Sequence, residues 1–109
     1  MKIVKAAPTD RVSAQVNLGR PTDELGAVNL RANVFTVAEG SMPKHVHDEL
    51  EELYLALDGA AESSEYRLGP REALTVPPGA EHQLANVGRG PLTFFVVAAP
   101  NVTGDAERR

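Results

Sequence analysis

Turn-forming residues recur roughly every ten positions through the second half of the chain, at Asp58-Gly59, Leu68-Gly69-Pro70, Pro77-Pro78-Gly79 and Gly88-Arg89-Gly90-Pro91. That is the rhythm of a small β-sandwich or barrel. The intervening segments agree. Tyr66 to Leu68 is a short strand candidate, Ala73 to Val76 leads into the Pro77-Pro78-Gly79 turn, and Leu92 to Ala98 is β-branched and aromatic. Upstream, Val28, Leu30, Ala32 and Val34 share one face while Phe35 and Val37 take the other after a change of phase, the pattern of a strand with a bulge.

The stretch from His45 to Leu57 admits two readings. Val46, Leu50, Leu53 and Leu57 are spaced as on an amphipathic helix, and Glu, Leu and Ala are good helix formers. On a helix, however, His45 and His47 would point about 200° apart, whereas on a strand they point the same way. The β character downstream decides between them, because a lone central helix would be the odd element. A turn followed by a strand from about Glu52 to Leu57 is expected.

A chain of 109 residues has room for one hydrophobic core, so a single domain is expected. Residues 1–24 show no sustained period and read as an N-terminal arm or edge strand, residues 25–100 as the β domain, and the polar residues 101–109 as a disordered tail. A net charge of -4 offers no basic stripe to replace phosphate counterions, which argues against nucleic acid and equally against an anionic membrane. No stretch approaches the roughly 20 apolar residues of a membrane span, and the N-terminus has no apolar run of the signal-peptide kind. The expected compartment is therefore cytoplasmic, which leaves the Asn101-Val102-Thr103 sequon without meaning. The chain has no cysteine, so any metal site must use nitrogen and oxygen ligands.

Every histidine falls in one of two places, the pair His45-Val46-His47 and His82 just past Pro77-Pro78-Gly79. Imidazole and carboxylate are the usual ligands of divalent iron, manganese, nickel, copper and zinc, and acidic residues stand beside the histidine pair. Exposed polar histidines at 45 and 47 with a satisfied core histidine at 82 are the alternative.

The spacing Gly40-x4-His45-x-His47-x4-Glu52-x6-Gly59, followed by Gly69-x7-Pro77-x-Gly79-x2-His82-x3-Asn86, resembles the two sequence motifs of the cupins, and the resemblance runs over about residues 28–98. It departs from the family in small ways: the first gap is four residues rather than the commoner five, and Arg71 stands where many members have glycine. The resemblance implies an all-β fold, an antiparallel jelly-roll barrel, with one divalent transition metal held inside by His45, His47, Glu52 and His82. Glu52 keeps the six-residue spacing to Gly59 and is chosen over Glu51, the alternative. With Glu52 pointing inward, Tyr54 and Ala56 do too, so Tyr54 is the candidate catalytic group beside the metal, with a barrel-lining role as its alternative. Asn86 is expected to fix a turn or strand end.

Cupins with this ligand set resemble dioxygenases most often, with isomerases and lyases also represented. The expected function is thus a metal-dependent enzyme acting on a small organic molecule inside the barrel; the alternative is a non-catalytic module that binds metal or a small ligand. Leu53, Leu55 and Leu57, on the outer face of their strand, need cover as well. A second copy of the chain can supply it, so a homodimer is expected.

Overall fold

In the computed structural model, the described residues are 1–63 and 66–102, with the backbone of 106–108. The strands form three antiparallel sheets of a jelly roll. The largest has the order β1 (Asp10–Arg11), β2 (Val16–Gly19), β3 (Arg31–Val37), β10 (Leu92–Ala99), β5 (Glu51–Asp58), β8 (Ala73–Val76). A three-stranded sheet has the order β7 (Tyr66–Leu68), β6 (Ala61–Ser63), β9 (Ala85–Asn86), and β4 (His45–His47) pairs with β11 (Ala106–Arg108). Among the described residues no helix is long and apolar enough to cross a membrane.

The core lies between the sheets and follows from two-residue alternation. On β5 the buried positions are Glu52, Tyr54 and Ala56, and on β10 they are Leu92, Phe94, Val96 and Ala98. Phe94 stacks on Phe35 with ring centroids 5.1 Å apart and meets Tyr54 edge-on at 5.8 Å, so three aromatic rings fill the centre. Ala61, Leu68, Leu84 and Met42 close the core from the opposite side. The strand reading of His45 to Leu57 holds, in two pieces, and the helix reading does not.

One expectation is corrected and two are extended. The phase change in residues 28–37 is not a bulge. Strand β3 begins only at Arg31, runs in unbroken register with β2 and β10, and is covered on both faces. Phe35 and Val37 face the core while Ala32 and Val34 are buried on the other side, where Thr22 Oγ1 accepts from Ala32 N (3.1 Å) and bonds its carbonyl (3.2 Å). The irregularity in this sheet lies between β5 and β10, at Thr93/Phe94.

Second, residues 1–24 contain an edge strand, β1, and more besides. Strand β2 is built into the large sheet, and Pro21–Leu25 form a short helix, α1. Proline opens it, Asp23 and Glu24 sit in its first turn, and Gly26 ends it at φ 71, a left-handed conformation that glycine adopts freely. Third, the expectation of a disordered tail meets a strand in part of its range, since the backbone of Ala106–Arg108 pairs with His45–His47. Residues 103–105 and 109 lie outside the described residues.

A candidate metal centre

Each of the four candidate ligands is placed by backbone pairing. His45 and His82 are directly opposed, each N–H donating to the other's carbonyl at 2.9 and 2.8 Å, the doubly bonded pair of an antiparallel ladder. His47 stands two residues along β4 on the same face, and its carbonyl accepts from Gly79 N at 2.7 Å. The Pro77-Pro78-Gly79 turn, with Gly79 at φ 80, is thereby pinned to the histidine strand. Glu52 enters from β5. The ligand-type atoms of His45, His47, Glu52 and His82 all lie within 4.8 Å of one another.

Glu52 is buried, whereas the alternative Glu51 is exposed on the outer side of β5. Its Oε1 is the meeting point of the site: His82 Nε2 is 3.0 Å away, His47 Nε2 is 3.2 Å away, and the Tyr54 hydroxyl donates to it at 3.2 Å. Asn86, as expected, fixes a turn, its Nδ2 donating to the carbonyls of Val37, Ala38 and Gly90.

Two of the imidazoles have their tautomers set by backbone carbonyls. A carbonyl oxygen can only accept, so His45 Nδ1 donates to Pro43 (2.9 Å) and His82 Nδ1 to Ala80 (3.0 Å). In the neutral ring that leaves Nε2 with a bare lone pair. His82 Nε2 is buried, has no aligned hydrogen-bond partner, and faces a carboxylate oxygen at 3.0 Å. Two lone pairs at that distance repel unless a cation or proton is shared between them. The donor set therefore fits a divalent ion, and the carbonyl-anchored imidazoles are the outer support such a site requires.

The charge balance without metal follows from the same contacts. Burial pushes the His82 pKa down, but the Glu52 carboxylate and the Ala80 carbonyl outweigh it and the net shift is upward. For Glu52, burial pushes up, and the hydrogen bond and positive charge of the surrounding histidines bring the pKa below its ordinary value. Burial also lowers His45, and it raises Tyr54 well above the ordinary phenol range, with Glu52 adding to that rise. Tyr54 thus stays protonated and holds the carboxylate.

A cavity of about 400 Å³ opens beside the cluster. His45, His47, Glu52 and Tyr54 form one end of it, and Arg31, Asn33 and Phe35 of β3 line its side. The two polar β3 residues were not singled out by the sequence reading. Their signal was there, as polar residues alternating with Ala32 and Val34 on a strand.

The profile of the Cupin domain family matches residues 33–98, which spans both motifs and all four clustered residues. The chain belongs to the cupin family. No curated protein matches it. Among solved structures it is similar to the polyketide cyclase RemF from Streptomyces resistomycificus, with 23% identity, 99% of this chain and 84% of that chain covered, and a TM-score of 0.79. It is also similar to an uncharacterized conserved protein with a double-stranded beta-helix domain from Klebsiella pneumoniae, with 21% identity, coverage of 99% and 96%, and a TM-score of 0.80. A sugar phosphate isomerase of the cupin superfamily from Silicibacter pomeroyi aligns at 25% identity over 78% of this chain and 59% of that one, with a TM-score of 0.72. At such identities these structures share the fold, and the cavity chemistry must be argued from this chain's own residues.

Proposed function

We propose that this cupin is a metal-dependent enzyme acting on a small organic molecule in the cavity beside His45, His47, Glu52 and His82. The observation that carries the reading is the convergence of three imidazoles on the buried Glu52 carboxylate, with His82 Nε2 3.0 Å from Glu52 Oε1, at the end of an open cavity. A structural metal site is closed, while a site walled on one side by a cavity keeps positions for a ligand. A divalent iron, manganese, nickel, copper or zinc ion held there would supply Lewis acidity or, for iron and copper, oxygen activation.

The chain's own residues supply binding and exclusion of water rather than proton transfer. Tyr54 is tied to Glu52 and resists ionisation, and Phe35, Met42 and Val96 give the cavity apolar walls. Apart from the clustered groups, the carboxylate on the cavity wall is Asp23, exposed at its rim. That poverty of acid–base groups favours a dioxygenase-type reaction over an isomerase or lyase, both of which need a positioned proton carrier. The cyclase and isomerase among the similar structures keep the non-oxidative readings in the test.

The test is metal analysis of the untagged protein beside His45→Ala and Glu52→Ala, followed by oxygen uptake with added ferrous ion against diketones, thiols, catechols and flavonols. Near one equivalent of metal, lost in both variants, with oxygen consumed and consumption abolished in His82→Ala, supports the enzyme. Metal bound with ligand held but not consumed supports the binding module. No metal taken up from any of the five ions refutes the metal-site reading.

We further propose a homodimer through the outer face of β8, β5 and β10. Leu53 and Leu57 are 38% and 46% exposed there, and Leu53 and Leu55 lie in register with Val97 and Phe95. Light scattering at tens of micromolar is expected to give twice the 11.6 kDa chain mass, and a monomer would refute it.

A further inference from the structure

We propose that the cavity takes a small hydroxylated organic acid, with a carboxylate held by Arg31, a hydroxyl held by Asn33, and the opposite end at the His45, His47 and Glu52 cluster. The inference rests on the metal-site reading above and names its substrate class.

The register of the large sheet places these groups. Strand β10 lies between β3 and β5, with Arg31 paired to Ala98 and Ala98 to Glu52. The next inward-facing row is Asn33, Val96 and Tyr54. Two strand spacings separate the Arg31 and Glu52 backbones by about 10 Å. In the Arg31–Ala98–Glu52 row the middle residue contributes only a methyl group, so the space above Ala98 stays open between a guanidinium and a carboxylate that are not in contact.

Arg31 is half-buried and, among the described residues, has no carboxylate partner. It donates one hydrogen bond, from Nη1 to the Val102 carbonyl at 2.8 Å. A guanidinium has five N–H donors in a planar fork that matches a carboxylate, so most of this one's capacity is unspoken for. The other arginine on the cavity wall, Arg20, is already engaged by Asp10 at 2.6 Å. Asp23 shares that rim but is exposed, where solvent and salt screen its charge. On the adjacent row Asn33 Oδ1 is buried without a hydrogen-bond partner. A buried acceptor of that kind calls for a donor, and the hydroxyl of a bound molecule provides one. A charge without a counterion and an amide oxygen without a donor thus stand side by side on β3, facing the cluster across a gap that a skeleton of a few carbons would span.

The experiment is isothermal titration of the cobalt-loaded protein with tartrate, with malate, which lacks one hydroxyl, and with 2,3-dihydroxybutanoate, which lacks the distal carboxylate. Tartrate is expected to bind at least tenfold tighter than 2,3-dihydroxybutanoate. In Arg31→Gln that preference should fall to near unity with cobalt stoichiometry unchanged, and in Asn33→Ala the preference for tartrate over malate should disappear. Ala98→Val keeps both polar groups and fills the space between them, so it should retain cobalt and lose tartrate at least tenfold, a check that stands even where Arg31→Gln fails to fold. Equal binding of tartrate and 2,3-dihydroxybutanoate, a preference that survives Arg31→Gln, or no tartrate binding at all by cobalt-loaded protein would each overturn the inference and leave the metal site intact. A protein that takes up neither cobalt nor any of the five ions named above would overturn both, and the metal stoichiometry tells the two failures apart.

Discussion

Removing one oxygen atom from the core, in Tyr54→Phe, is expected to lower both stability and metal affinity. Tyr54 is 2% exposed and its hydroxyl donates to Glu52 Oε1 at 3.2 Å. Its ring packs against His82 and Phe94, with centroids 5.7 and 5.8 Å away, and phenylalanine keeps those contacts and almost all of the volume. The change is therefore close to a pure loss of one hydrogen bond to a charged acceptor, which contributes about 1.5–3 kcal/mol net. At 3.2 Å the lower end applies, so about 1.5 kcal/mol is expected, or a melting temperature lower by roughly 6 °C for a domain of this size. Partners of a metal-ligating carboxylate contribute about 10–100-fold in metal affinity, and because histidines also crowd Glu52 about tenfold is expected here. Calorimetry on chelator-stripped protein reads the first effect, and competition against a chromophoric chelator reads the second. Burial, reinforced by Glu52, keeps the hydroxyl protonated, so neither effect should change between pH 7 and 9. Wild-type values in both assays would refute the role assigned to Tyr54 as the residue that orients Glu52. Wild-type metal affinity with weakened acid binding would instead give the hydroxyl to the bound molecule.

Metal affinity should rise with pH and level off only above pH 6.5. His82 holds its proton beyond the ordinary imidazole range, and below that pKa the proton occupies the lone pair a metal needs. Titrations from pH 5.5 to 8 check the sign, and affinity that is flat or falls over that range would contradict it. His82→Ala removes a proposed ligand rather than a support, so its loss of affinity should exceed the roughly 100-fold upper end for outer partners, measured by the same chelator competition. Gly59→Ala is expected to destabilise by more than about 2 kcal/mol, because a left-handed backbone alone disfavours a side chain by about 1–2 kcal/mol. Gly59 sits at φ 90, and a Cβ there would meet the Pro91 carbonyl oxygen at 2.7 Å. Arg71 holds a left-handed φ of 68 without being glycine, so Arg71→Gly should be neutral or stabilising by up to about 1 kcal/mol in chemical denaturation.

The candidate site was legible in the sequence because its parts are local. An H-x-H pair on one strand needs only the two-residue alternation of β structure, and a glycine-ended proline turn fixes where His82 emerges. The rest was hidden wherever a residue's meaning depends on a distant strand. Arg31 and Asn33 are ordinary polar positions until β10 is placed between β3 and β5, and the separations involved, from Arg31 to Ala98 and from Ala98 to Glu52, cross most of the chain. The apparent bulge in residues 28–37 arose in the same way. Period-two reasoning assumes one wet face, and β3 has none: Ala32, bonded to Thr22 of α1, and Val34 are buried on one side, while the core covers Phe35 and Val37 on the other. The helix was readable from Pro21, Asp23, Glu24 and Gly26, but five residues fall below the length at which apolar periodicity can show itself. Sequence pattern thus located the clustered groups proposed to hold a metal, while the groups proposed to choose its substrate required the register of the sheet. That division is physical: ligands to one ion must converge within a few ångströms and favour short-range motifs, whereas a cavity is walled by whichever strands the topology brings together.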